Sequence, residues 1–199
     1  MARLHTSFIL GYHGCNKNIG EKILSGDEGL AASDEEYDWL GPGVYFWEAD
    51  PVRAWEWADA KVLRRKDTEP FVIGAIIDLG NCLDMLARES LDVLSFAYDA
   101  LSSATEKAGD GRALPVNRGA DPDKLLRFLD CAVIRYLHQI IDEKGSALGL
   151  EPFDSVRGLF TEGDALYAGS GFKKKTHVQI AVRNAGCVKG YFRVPRPEF

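Results

Sequence analysis

Only four of the 199 residues are cysteine, at Cys15, Cys82, Cys131 and Cys187, and no two form a C-x-x-C pair. That spacing gives no small disulfide-stapled scaffold and no zinc-ribbon pattern, so scattered reduced thiols and no metal are expected. No apolar run approaches the roughly 18 residues needed to suggest a membrane span. The first residues, with Arg3, His5 and Thr6, carry no long apolar stretch of the kind a secretory signal requires. Excess positive charge is missing too: the formal net charge is -6 and the pI about 5.3, which argues against non-specific binding to nucleic acid or an anionic membrane. Repeats, linkers and low-complexity stretches are also absent. The cytoplasm is the expected compartment.

What is present is an ordinary globular composition, 46% hydrophobic and 27% charged, enough to build one domain, or one with a sizeable insertion. Ser7 to Tyr12 reads as a buried strand that turns at His13-Gly14. Asn16 or Asn18 can cap a short helix with Ile19, Ile23 and Leu24 on one face, closed by Gly26. Residues 27–40 are acidic and irregular. Gly41-Pro42-Gly43 makes a turn into a second strand, Val44 to Trp47. Asp50-Pro51 is a helix start, an N-cap carboxylate before proline at the first helical position. Trp55 lies on that helix's apolar stripe and is expected in the core. Phe71 to Leu79 is a third strand, buried on both faces.

The middle of the chain is helical. Leu91, Leu94, Tyr98 and Leu101 keep one stripe, and Leu126, Leu129, Val133, Leu137 and Ile140 keep another after an Asp121-Pro122 start, with a loop over Gly109 to Gly119 between them. Thr176 to Val182 and Cys187 to Val194 read as late strands joined as a hairpin through Asn184-Ala185-Gly186. Three early strands, a helical stretch and a late hairpin make an α+β pattern with mainly antiparallel pairing.

Three segments stand out for chemistry. His13 beside Gly14 at a strand end can offer an imidazole and an approachable backbone to one ligand. In Gly41-Pro42-Gly43-Val44-Tyr45-Phe46-Trp47, strand alternation puts Tyr45 and Trp47 on one face and Phe46 on the other. A tyrosine so placed is a platform for a flat heterocycle, although an aromatic stripe also serves simply as core. On the last segment, Val178, Ile180 and Val182 face one way, His177, Gln179 and Ala181 the other. A glutamine buried there needs hydrogen-bond partners.

Taken in order, Tyr-His-Gly after an apolar strand, Gly-Val-Tyr-Phe before an Ala-bearing helix, and a late polar strand residue resemble the PARP and diphtheria-toxin branch of ADP-ribosyltransferases. That family carries a His, a Tyr and a Glu on three separate strands. His13 and Tyr45 match the first two with their neighbours. Alternation and the downstream Cys187-Val188-Lys189-Gly190-Tyr191 align Gln179 with the third, where glutamine replaces glutamate. The resemblance covers both ends of the chain, and about 88–145 reads as a helical insertion in a single domain spanning 1–199.

The resemblance implies a split antiparallel sheet and NAD+ as co-substrate, without a metal. In it His13 would donate to a ribose hydroxyl, the Gly14 backbone would clamp the carboxamide, and Tyr45 would stack on nicotinamide. Gln179 would keep a hydrogen bond while losing the charge that steadies an oxocarbenium-like ribose. Glu162, in the loop Phe160 to Phe172, could supply that charge or act as general base; its alternative is a surface turn. Lys173-Lys174-Lys175 could grip phosphates or a nucleic-acid acceptor, or be a solvated face. The implied activity is mono-ADP-ribosyl transfer to a protein or nucleic acid by a toxin or defence effector, with an antitoxin as a possible partner and no membrane involved. NAD+ glycohydrolysis and an inactive NAD+- or ADP-ribose-binding module are the alternatives.

Overall fold

The computed structural model describes residues 8–63, 69–109, 111–119 and 123–197. Ser7, Asp121 and Pro122, and with them the expected start of the second central helix, lie outside the described residues. The chain is α+β. Seven strands, β1 (Ile9–Asn16), β2 (Val44–Glu48), β3 (Pro70–Ile77), β4 (Cys82–Asp84), β5 (Ser155–Phe160), β6 (His177–Val182) and β7 (Val188–Arg193), form one open sheet among the described residues. Their order is β4-β5-β6-β2-β1-β3-β7, antiparallel except for β4 against β5.

The first strand, β1 (Ile9–Asn16), does not stop at Tyr12 as expected. It pairs position by position with β3 (Pro70–Ile77), from Ile9↔Ile77 to Asn16↔Pro70, so His13-Gly14 lies within the strand rather than in a turn. Asn16 then caps α1 (Lys17–Ser25) by accepting from the Ile19 amide at 2.9 Å, and Gly26 closes the helix at φ 83°. The second strand, β2 (Val44–Glu48), leads to α2 (Pro51–Leu63), where Asp50 Oδ1 accepts from the Arg53 amide at 2.9 Å. Trp55 is buried with Trp47, Ala54, Ala58 and Val72 between α2 and the sheet, as its stripe predicted.

Two strands escaped the sequence reading: β4 (Cys82–Asp84) and β5 (Ser155–Phe160). They are the parallel pair, and parallel neighbours need a long crossover. The central helices α3 (Arg88–Ala108) and α4 (Phe128–Leu148) provide it. They bury Ala97, Val133, Ile134, Leu137 and Ile141 against Leu40, Leu83, Val156 and Ala181 of the sheet side. The expected stripes are partly rotated, since Leu91 and Tyr98 are exposed while Ala97 and Ile141 are buried. Leu126 precedes α4, in an isolated bridge to Arg118, and Asn117 Oδ1 accepts from the Leu129 amide at 2.8 Å where Arg127 offers no side-chain cap.

The late hairpin is not formed. β6 (His177–Val182) is flanked by β2 and β5, so neither of its edges is free. A short 3₁₀ turn over Ala185–Cys187 carries the chain instead to β7 (Val188–Arg193), which pairs with β3 at the opposite edge of the sheet. Burial of Cys187 against Phe46, Ala75 and Ile77 holds that passage. No disulfide joins any of the four cysteines.

Candidate functional site

His13, Tyr45 and Gln179 are far apart in sequence but sit on β1, β2 and β6, three consecutive strands of the sheet. β1 and β2 pair at only two positions, Gly11↔Glu48 and Tyr12↔Trp47, whereas β1 pairs with β3 along its whole length. Where the β1–β2 ladder ends, the His13 side chain takes over: its Nδ1 lies 2.7 Å from the Tyr45 carbonyl oxygen.

A carbonyl can only accept, so Nδ1 carries the proton. Burial pushes the His13 pKa down to about 4, which leaves the ring neutral at pH 7. Its Nε2 is then an acceptor. That nitrogen can only accept from a neighbouring group, whereas the resemblance implies a donating His13. Gly14, next on the strand, faces α2: a Cβ there would come within 2.5 Å of the Ala54 carbonyl oxygen. Glycine at 14 is therefore required by helix packing, independently of any ligand.

Tyr45 is half-buried against the cluster under α3 and α4. Its hydroxyl donates to the Gly41 carbonyl at 2.8 Å and accepts from the Leu40 amide at 3.0 Å, tying the preceding turn to the strand. Burial raises its pKa, so the phenol stays protonated.

Gln179 opposes Trp47 on β2 and Gly158 on β5. Its Oε1 accepts from the Trp39 indole N–H at 2.6 Å. The indole lies over Gly158, where an added Cβ would meet its ring at 2.8 Å. From Trp39 a run of aromatic rings leads back to His13. Trp39 meets Phe160 edge-on at 4.9 Å, Phe160 stacks on His177 at 5.7 Å, and His177 lies 6.4 Å from Trp47. Trp47 is 5.8 Å from Trp57, which is 6.4 Å from His13. The Lys61 ammonium sits 4.3 Å above the Trp57 ring.

Glu162 is not a free turn residue. Arg53 of α2 donates to its Oε2 at 2.6 Å, Lys175 stands 3.9 Å from its Oε1, and only 16% of its side chain is exposed. Its charge is thus already matched. Of the lysine run, Lys173 is bound to Asp123, Lys174 is 3.6 Å from Asp164 and Lys175 faces Glu162, so acids of the same region hold all three. The loop folds back on itself, with Leu166 donating to the Phe172 carbonyl and Lys174 to that of Asp164. Leu166, Tyr167 and Phe172 remain exposed on it.

Cavities of about 390 and 380 Å³ lie elsewhere, one beside Trp55 and Arg196, the other beside His138 and Arg183. Neither is lined by His13, Tyr45 or Gln179. Among the described residues no group of three or more His, Cys, Asp or Glu could hold a metal ion. No helix among them is long and apolar enough to cross a membrane.

Sequence reasoning identified the residues of the three strands but missed Trp39, Arg53, Trp57, Phe160 and His177 as their surroundings. Trp39 precedes the Gly41-Pro42-Gly43 turn and Arg53 follows Asp50-Pro51, so proximity to the second motif was the signal available for both. Comparison of the chain with protein-family models, with curated proteins and with solved structures found no match.

Proposed function

We propose that this chain binds NAD+ and transfers its ADP-ribose to a macromolecular acceptor, acting in the cytoplasm as a toxin or defence effector with a split-sheet ADP-ribosyltransferase fold. The observation that carries this reading is the convergence of His13, Tyr45 and Gln179 onto three adjacent strands at the point where β1 and β2 part. The two motifs and the aligned glutamine are 32 and 134 residues apart in the chain.

In the reaction the bond between ribose C1′ and nicotinamide N1 breaks, and its electron pair leaves with nicotinamide. The oxocarbenium-like carbon is then attacked by the acceptor. Neutral His13 offers an acceptor nitrogen to a ribose hydroxyl, and the aromatic side chains nearby offer π-faces for flat rings. Nicotinamide release from labelled NAD+ tests the reading, with label then followed into protein or nucleic acid of a cell lysate. Tyr45→Ala, in a folded protein, should weaken NAD+ affinity by calorimetry, since a stacked base is worth roughly 1–3 kcal/mol. Unchanged affinity removes the stacking role from Tyr45.

The neutrality of Gln179 favours a second reading, a module that binds NAD+ or ADP-ribose without cleaving it. Affinity without nicotinamide release selects that one. Release without labelled acceptor selects NAD+ glycohydrolysis.

A further inference from the structure

We propose that Trp39 is a positioning residue that fixes the Gln179 carboxamide with its NH₂ group toward the ligand, so that the third position of the site acts as a hydrogen-bond donor. This rests on the NAD+ reading above for its consequence, though not for its geometry. An indole N–H can only donate, so the atom it meets at 2.6 Å must be the amide oxygen. The orientation of the amide, ordinarily ambiguous, is therefore settled by chemistry. With Oε1 occupied, Nε2 is the end left to a ligand, and it makes no hydrogen bond to another described residue.

Trp39 is itself held. Gly158 leaves room for its ring, Phe160 meets it edge-on at 4.9 Å, and it packs beside the cluster containing Leu40 and Leu83. The indole is consequently placed before any ligand arrives. A glutamate at 179 would need no such help, because its two oxygens are equivalent acceptors and one would remain free whichever met the indole. Glutamine has two unlike ends, and Trp39 chooses between them. The ligand group facing Gln179 must then be able to accept: a hydroxyl oxygen, a carbonyl or a phosphate oxygen.

The test is a double-mutant cycle of Trp39→Phe and Gln179→Glu, read by NAD+ affinity and by nicotinamide release. Trp39→Phe keeps the ring and removes only the donor. In the Gln179 protein it should lower affinity or turnover about fivefold, the effect of one neutral hydrogen bond. In the Gln179→Glu protein the same change should cost less than twofold. Equal losses in both backgrounds would show that Trp39 acts by packing alone and overturn the proposal, as would no loss in either. A second measurement is independent of activity. In ¹⁵N-Trp-labelled protein, the Trp39 indole proton should be protected from exchange and lose that protection in folded Gln179→Ala; unchanged exchange overturns the pairing. If the wild-type protein neither binds nor cleaves NAD+, the proposed function fails with the ligand role of Gln179, and the indole exchange alone then decides whether Trp39 orients the amide.

Discussion

At the scale of single residues, the least expected property of this chain is the downward shift that packing imposes on three of its histidines. His13, His138 and His177 all have pKa values lowered by burial, the first two to about 4 and about 3. His138 has neither ring nitrogen bonded among the described residues, and Arg183 nearby lowers it further. A histidine whose folded pKa lies below its unfolded value binds fewer protons when folded. Its contribution is complete above the ordinary value of 6.5 and is lost as pH falls toward the folded pKa. For His13, with 6.5 and about 4 as the two limits, the loss between pH 7.5 and 5.0 is about 2 kcal/mol. Urea unfolding at the two pH values should record that fall, and His13→Gln should reduce it while leaving the share of the other two. A stability unchanged down to pH 5 would mean that these rings are better solvated than their packing indicates. The identity of His13 was legible in the sequence because Tyr-His-Gly is a local pattern. Its neutrality and its Nδ1 bond to Tyr45 were not, since both depend on β2 arriving alongside.

At the scale of elements, local signals were read correctly and pairings were not. The caps of α1 and α2 follow from Asn16, Gly26 and Asp50, whose partners lie within a few residues. The hairpin of β6 and β7 was inferred from proximity in sequence, yet the free edge that β7 needs is on β3, beyond two intervening strands. β5 was missed because Ser155-Val156-Arg157-Gly158-Leu159-Phe160 mixes an arginine and a glycine into a short apolar run. Arg157 is accommodated by Glu48 at 2.6 and 2.8 Å and by Asp84 at 3.1 Å, partners from two other strands. The same scale governs Glu162, whose bond to Arg53 joins the loop before β6 to α2. If Glu162 serves as a general base on the acceptor, it must leave Arg53 first. Glu162→Gln should then abolish transfer while sparing slow NAD+ hydrolysis, whereas a charge-supplying role would depress both. The altered residue also removes a largely buried ion pair, so a loss of stability on the order of 1 kcal/mol or more should accompany either result. If both rates persist, Glu162 serves only to fasten the loop.

At the scale of the whole molecule, the segment that reads as an insertion turns out to carry part of the core. Composition and periodicity identified its helices, but nothing local could reveal that β4 and β5, at its two ends, pair in parallel. α3 and α4 lie in the connection between these parallel neighbours, which needs a long crossover. The helices cover Leu40, Leu83, Val156 and Ala181, all fully or almost fully buried, and Ile134 of α4 packs at the Gly41 turn that precedes Tyr45. Excising 88–148 would bare this face and remove the link between two neighbouring strands, so the remainder should show no cooperative unfolding transition. Ile134→Ala should act in the same direction but more mildly, lowering stability by about 2–5 kcal/mol through the cavity it leaves. The mostly exposed stretch 111–116 gives the contrast: deleting it spares Asn117, which caps α4, and should leave the transition in place. Urea titrations followed by tryptophan fluorescence separate these cases, because Trp39 packs beside the helical cluster and Trp47 beside α2. If the excised protein still unfolds cooperatively, the helices are an appendage and the sheet with α1 and α2 is sufficient by itself.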